Sequence, residues 1–172
     1  LALSPIPQRP SGFRNAVVEN IATGATIVIN KAARDLLLTV IPKKALMHDW
    51  WTYLVISALG QVVYDPEPCI KYRLHESNAV GWKLGFIDQL KDRTKRYIRE
   101  RGLKKVKTQV SEFFSIYGEQ LDTEKRIIIE RFLLERKTFS QRVRYCFFNT
   151  DLYRQTTLDN FILRWLILFD KI

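Results

Sequence analysis

The chain has 172 residues, of which 47% are hydrophobic and 27% charged, and its net charge is +10 at pH 7. This length and apolar content are typical of one globular domain or of a large piece of a longer protein, and they exclude an intrinsically disordered chain. Cys69 and Cys146 stand apart, without a Cys-x-x-Cys pair or a histidine at zinc-ligand spacing. We therefore expect neither a disulfide framework nor a structural zinc site, and a reducing, cytosolic setting is the simplest interpretation.

The positive charge is concentrated in the second half of the chain. Residues 1–90 carry nine Lys/Arg against seven Asp/Glu, whereas residues 91–172 carry nineteen against eleven. Nucleic acid, a phospholipid surface or a phosphate-rich ligand would each suit this charge. Residues 1–14 show no secretion signal. The apolar tract at 161–169 includes Arg164 and is shorter than the ~20 residues that span a bilayer, so we expect no transmembrane helix.

The first predicted elements are a strand and a helix. Residues 25–30 form an apolar run that favours a short buried strand. Asn30 is then suited to cap a helix that ends before Pro42. The apolar positions of this predicted helix recur at helical spacing and are Ala33, Leu36, Leu37 and Val40.

A second helix is predicted from Asp49 to Leu59, because its apolar residues share one face and Gly60 suits its C-terminal stop. Residues 61–65 and 69–74 are predicted to be strands, joined at a proline-containing turn.

Beyond Gly81 the strand signals disappear, and apolar residues recur three and four positions apart, as is typical of helices. The predicted helices span residues 83–100, 104–118, 122–137 and 157–169. We therefore divide the chain near residue 82, into an α/β segment (1–82) and a basic helical segment (83–172). The last helix carries an apolar stripe formed by Leu158, Phe161, Ile162, Trp165, Leu166 and Phe169.

Both histidines of the chain lie in polar runs, at residues 47–51 and 72–81. Asp49 has a structural explanation as the N-cap of the second helix, and it also has the properties of a catalytic base. The two roles are compatible, since the helix dipole keeps a carboxylate at a helix start ionised, and an ionised carboxylate can accept a proton. Taken alone, Trp50 and Trp51 are more typical of a core than of a ligand platform.

His75 has polar neighbours, among them Arg73 and Asn78, rather than the apolar neighbours of a core histidine. A phosphate group or a divalent metal would explain this set, because a guanidinium grips phosphate oxygens and a neutral imidazole ligates metal. Thr23 and Gly24 could be a simple turn before a strand.

Several of these motifs occur together, in a fixed order, over residues 15–82. The set comprises Asn20-x-x-Thr23-Gly24, the apolar run ending at Asn30, Met47-His48-Asp49-Trp50-Trp51, Gly60, Tyr64-Asp65-x-Glu67-Pro68, and Tyr72-Arg73-x-His75-x-x-Asn78-x-x-Gly81. In this respect the chain resembles the C-terminal part of the catalytic domain of family 2 glycosyltransferases. The resemblance is strongest to bacterial rhamnosyltransferase-like members that build surface polysaccharides.

The resemblance implies a GT-A fold, an open α/β sheet that binds a nucleotide-sugar in its N-terminal half and an acceptor in its C-terminal half. It implies that Asp49 is the catalytic base of an inverting transfer. The donor would be a dTDP-sugar, carrying rhamnose or a similar deoxysugar, and the acceptor a lipid-linked or growing polysaccharide at the inner face of the cell membrane. The substrate-binding residues that it implies are Thr23, Gly24, His48, Trp50, Trp51, Arg73 and Asn78.

The resemblance also implies a divalent metal, Mg²⁺ or Mn²⁺, which would neutralise the leaving diphosphate together with Arg73, and His75 would be a metal ligand. The family's N-terminal strand-helix units and its Asp-x-Asp motif do not occur in this sequence. We therefore expect the chain to be the C-terminal portion of a longer transferase and to be inactive alone.

A non-catalytic role is the alternative. The basic helices could engage nucleic acid, although they carry no helix-turn-helix, zinc or RNA-binding signature, or they could mediate self-association. They could also dock on an anionic membrane surface through the Lys91–Lys107 basic cluster and the stripe that contains Trp165.

Overall fold

The regular structure of the described residues consists of helices. The computed structural model describes residues 6–67, 102–148 and 151–169. Its helices are α1 (Phe13–Ala16), α2 (Lys31–Leu38), α3 (His48–Leu59), α4 (Gly102–Tyr117), α5 (Thr123–Leu133), α6 (Phe139–Phe148) and α7 (Thr157–Leu168). Short 3₁₀ turns lie at Gly24–Thr26 and Gly118–Gln120.

The expected α/β class, as the C-terminal part of a GT-A fold, is wrong, because the described residues contain helices and no strand. Residues 25–30 begin in a 3₁₀ turn and continue as extended chain, in which Val28 is 95% exposed. Residues 61–65 are also irregular, and Val63 is 80% exposed. β-branched residues favour strands only where a neighbouring strand supplies hydrogen bonds and packing, and the described part of the chain offers none. The expected strand at 69–74 lies outside the described residues.

Most of the helix predictions are confirmed where the structure describes them. Asn30 caps α2, since its Oδ1 accepts a hydrogen bond from the Ala33 amide at 2.8 Å. Gly60 follows the end of α3. The helices α4, α5 and α7 correspond to the predictions at 104–118, 122–137 and 157–169, but α5 ends at Leu133, four residues before its predicted end. The helices α1 and α6 were not predicted from the sequence. The predicted helix at 83–100 and the boundary near residue 82 lie outside the described residues.

One hydrophobic core contains side chains from residues 6–67 and from residues 102–169. The Phe113 ring of α4 lies 6.3 Å from Phe13 of α1 and 6.3 Å from Trp51 of α3, measured between ring centroids. Tyr117 extends the aromatic group, 5.6 Å from Phe113. Such offset and edge contacts stabilise aromatic pairs beyond their buried area. The core therefore packs α1, α3 and α4 against one another.

The loop that leads into α3 is fastened to α4 by hydrogen bonds. The Glu112 carboxylate accepts hydrogen bonds from the amides of Lys43 and Lys44, at 2.8 and 2.7 Å. The buried Gln109 accepts one from the Leu46 amide at 2.8 Å. These contacts hold the chain immediately before the first turn of α3, where Asp49 lies.

The apolar stripe predicted on α7 does not face the core as a unit. Leu163, Leu166 and Ile167 are buried, whereas Phe161 and Trp165 are 67% and 41% exposed. Within the part of the chain that the structure describes, no helix is both long and apolar enough to cross a bilayer.

Candidate active site

Asp49 lies in the first turn of α3 and is only 6% exposed. The N-cap of α3 is Met47, two residues before the predicted cap, so Asp49 lies within the first turn and does not occupy the cap position. A carboxylate in the first turn still faces the positive end of the helix dipole.

Three hydrogen-bond donors hold the Asp49 carboxylate. Its Oδ1 accepts from the Trp50 amide at 2.7 Å and from Asn20 Nδ2 at 3.0 Å. Its Oδ2 accepts from the Gly24 amide at 3.2 Å, across 25 residues of sequence. The structure thus brings the Asn20-x-x-Thr23-Gly24 motif and the start of α3 together.

The loop over residues 20–26 has its own local hydrogen bonds. Asn20 Oδ1 accepts from the Ala22 amide at 3.0 Å, which forms an Asx turn. The Thr23 carbonyl oxygen accepts from both the amide and the hydroxyl of Thr26, at 2.8 and 2.9 Å. Asn20 therefore orients the loop with its oxygen and the carboxylate with its nitrogen.

Gly24 permits the loop to approach α3 closely. A Cβ atom at this position would lie 2.6 Å from His48 Nε2 and 3.7 Å from Asp49 Oδ2. His48 is exposed and lies against Gly24. Thr23 is exposed as well, so Thr23 and His48 form the solvent-facing rim beside the buried carboxylate.

The two tryptophans serve the packing of α3. Trp50 is half-buried, and its indole Nε1 donates to the Ala16 carbonyl oxygen at 2.7 Å. Trp51 is 3% exposed and belongs to the core next to Phe113 and Tyr117. As placed here, Trp51 contacts the core rather than the solvent-facing rim of the site.

The carboxylate keeps capacity for one further donor. An ionised carboxylate offers about four acceptor positions, about two on each oxygen. Two donors occupy Oδ1 and one occupies Oδ2, so Oδ2 can accept a fourth hydrogen bond. A substrate hydroxyl placed there would be in the position from which a base removes a proton.

Arg73, His75 and Asn78 lie outside the described residues, so their predicted roles stay predictions. Among the residues that the structure does describe, no group of three His, Cys, Asp or Glu side chains could hold a metal ion. At the site itself the available ligands are one carboxylate, already turned toward three N–H donors, and the exposed His48. These residues do not form a metal site, and the divalent metal stays an expectation linked to His75.

Asn20 is the site residue that the sequence analysis did not single out for a role. Its position in the motif with Thr23 and Gly24 was the available signal. The hydrogen bond to Asp49 depends on tertiary packing and is not encoded in local spacing.

Comparisons with protein-family models, with curated proteins and with solved structures find no match for this chain.

Proposed function

We propose that Asp49 is the general base of a glycosyltransferase that transfers a sugar from a nucleotide-sugar to a hydroxyl acceptor. The donor sugar would be rhamnose or a similar deoxysugar, carried by dTDP, and the acceptor a surface polysaccharide or its lipid-linked precursor. The observation that carries this proposal is the carboxylate held by Asn20 and Gly24 at the first turn of α3, with Oδ2 able to accept one more proton donor.

In the proposed step, the acceptor hydroxyl binds at Asp49 Oδ2 and transfers its proton to that oxygen. The acceptor oxygen forms a bond to the anomeric carbon of the donor sugar. The bond between the anomeric carbon and the phosphate oxygen breaks on the opposite face, and its electron pair leaves with the nucleoside diphosphate. General-base assistance of this type contributes on the order of 10²–10⁴-fold to the rate.

The surroundings of Asp49 favour this role in two ways. The three N–H donors orient the carboxylate, so that the remaining acceptor position has a fixed direction. The positive end of the helix dipole also faces the carboxylate. In this proposal Thr23 and His48, which are exposed near the carboxylate, contact the acceptor.

The test is sugar transfer by the full-length protein with Asp49→Asn, beside Asn20→Ala as a matched control. Both variants disturb the same hydrogen-bond group, but only Asp49→Asn removes the proton acceptor. We expect Asp49→Asn to lower turnover by on the order of 10²–10⁴-fold and Asn20→Ala to lower it by less than about tenfold. If Asp49→Asn retains more than about a tenth of wild-type turnover, Asp49 is not the base.

A binding measurement tests the proposal that donor recognition needs residues beyond this sequence. By isothermal titration calorimetry with Mg²⁺ or Mn²⁺, residues 1–172 alone should bind a dTDP-sugar weakly or not at all. Micromolar binding would show that this chain carries its own donor site.

A further inference from the structure

The helix α7 exposes one apolar face to solvent. Its exposed residues are spaced three, four and four positions apart and so lie on one side of the helix: Leu158, Phe161, Trp165 and Phe169. The Trp165 and Phe169 rings pack on each other, with centroids 5.0 Å apart. The opposite side of α7 faces the core through Leu163 and Leu166.

The helix α6 adds further exposed rings next to α7. The two helices run antiparallel, because Cys146 Sγ donates to the Arg164 carbonyl oxygen at 3.4 Å and Arg142 Nη1 to that of Leu168 at 3.5 Å. This register brings Phe147 and Phe148, which are 71% and 81% exposed, to the level of Leu163 and Ile162 in the first half of α7. We call the exposed set the aromatic surface; it comprises Phe147, Phe148, Leu158, Phe161, Trp165 and Phe169.

The segment that contains α6 is basic. Residues 135–148, which include α6, carry four Lys/Arg against one Glu. Lys137 and Arg144 of this segment are exposed. The acid within α7, Asp159, is 6% exposed and its Oδ2 accepts a hydrogen bond from the Thr156 hydroxyl at 2.6 Å, so it does not offset this charge at the surface.

From this arrangement we propose that the aromatic surface docks on an anionic phospholipid bilayer. Trp and Phe side chains bury well at the boundary between headgroups and acyl chains, and neighbouring Lys and Arg are attracted to anionic headgroups. The helix α7 has twelve residues and a length of about 18 Å, so it lies along the interface instead of crossing the bilayer. This proposal does not depend on the role of Asp49.

Charge favours a bilayer over a second copy of the chain. Two aromatic surfaces packed on each other would bring the two positive segments together, and like charges at an interface oppose association. An anionic bilayer instead neutralises them. Lys104 and Lys105, at the start of α4, provide a rival basic patch that lies on another helix and can be tested separately.

The experiment is co-sedimentation of the full chain with vesicles of phosphatidylcholine alone or mixed with phosphatidylglycerol, at low and high salt. We expect binding that requires phosphatidylglycerol and weakens as salt rises. Phe161→Ser with Trp165→Ser should reduce partitioning by at least about tenfold, because two rings lose their buried area. Lys137→Gln with Arg144→Gln should reduce it by about tenfold.

Matched controls separate the aromatic surface from other exposed residues. Val28→Ser with Ile41→Ser removes apolar side chains that are 95% and 82% exposed elsewhere, and it should leave binding unchanged. Lys31→Gln with Lys44→Gln should have less effect than the pair at Lys137 and Arg144. Circular dichroism verifies that each variant is folded.

Insertion of the ring is measured by quenching with brominated lipid. The chain has four tryptophans, and Trp165→Phe identifies the share of the quenching that comes from Trp165. Quenching that disappears in Trp165→Phe supports the proposal. Equal binding to neutral vesicles, loss of binding only in Lys104→Gln with Lys105→Gln, or no binding at all would each overturn it. So would a chain that does not bind vesicles but forms dimers disrupted by Phe161→Ser with Trp165→Ser.

Discussion

The helices α3 and α7 have the same length and are both rich in apolar residues, yet they are covered to different extents. Each has twelve residues; seven residues of α3 are buried, against four of α7. The helix α3 packs against α1 and α2 and contacts α4 through the aromatic core, whereas α6 is the main neighbour of α7. An apolar sequence thus favours a helix with a buried face, but the number of neighbouring elements determines how much of that helix is covered.

The first-turn carboxylates of these two helices have different hydrogen-bond partners. Asp159 of α7 bonds within its own turn, where its amide donates to the Thr156 hydroxyl at 3.0 Å, as in a local capping arrangement. Asp49 of α3 bonds to Asn20 and Gly24, which belong to a distant loop. A local cap stabilises one helix end, whereas the contacts of Asp49 join two segments and define the candidate site.

Truncation of one side chain on each helix should give the largest difference in the free energy of unfolding. Leu54 of α3 is fully buried, and Leu54→Ala should lower the free energy of unfolding by about 2–5 kcal/mol. Phe161 of α7 is 67% exposed, and Phe161→Ala should change it by no more than about 0.5 kcal/mol. Urea denaturation measures both. A loss of several kcal/mol from Phe161→Ala would show that the aromatic surface is covered in the folded protein.

The two carboxylates provide the next difference. Asp49→Asn places an N–H₂ donor where a carboxylate oxygen accepts from an N–H group, so we expect a loss of about 1–3 kcal/mol in the free energy of unfolding. Thr156→Ala removes the local cap of α7 and should cost about 1 kcal/mol. If Asp49→Asn leaves thermal and urea stability unchanged, the contacts of Asp49 to the loop do not form in solution.

Gly24→Ala should have a smaller effect, because the new Cβ meets the end of an exposed side chain rather than backbone. The Cβ would lie 2.6 Å from His48 Nε2, so the imidazole must move. We expect a loss of about 1 kcal/mol or less, and His48→Ala should remove most of it in a double-mutant cycle. Additive effects of the two substitutions would show that the loop does not approach α3 as described.

The buried tyrosine hydroxyls should have the smallest effect on stability at neutral pH. Burial raises the pKa of Tyr53 on α3 and raises the pKa of Tyr145 on α6 to about 12. The folded state therefore favours the neutral phenols, and their contribution is complete below the ordinary pKa of about 10. It is lost as the pH rises through the folded values. Thermal denaturation between neutral and strongly alkaline pH should show this loss, and Tyr53→Phe and Tyr145→Phe should each reduce it; an unchanged alkaline profile in both variants would contradict it.

The helices could be predicted where periodicity and caps agreed, as at Asn30, which caps α2. The strands could not, because Val28 and Val63 have the side chains of strand residues but no neighbouring strand in the described part of the chain. The helix α6 was missed even though its apolar residues Phe139, Val143 and Phe147 recur four positions apart. Periodicity and capping residues thus predicted helices. Strand formation depends on pairing with another segment, which the local sequence does not encode.

The sequence predicted candidate site residues but not their geometry. Their roles stay predictions, and the structure places His48, one of these residues, against Gly24. The shared hydrogen bonds of Asn20 and Gly24 on Asp49 depend on the packing of the 20–26 loop against α3, which no local pattern encodes. On α7 the stripe was visible in the sequence, but the choice of its buried side required the position of α6.

The central claim is that the 20–24 loop and the start of α3 form one site around the Asp49 carboxylate. The most direct measurement is the NMR amide proton shift of Gly24 in the wild type and in Asp49→Ala. Because the Gly24 amide donates to Asp49 Oδ2, its proton should resonate downfield in the wild type and move upfield when the carboxylate is removed. A Gly24 amide shift that is the same in both proteins would contradict the account.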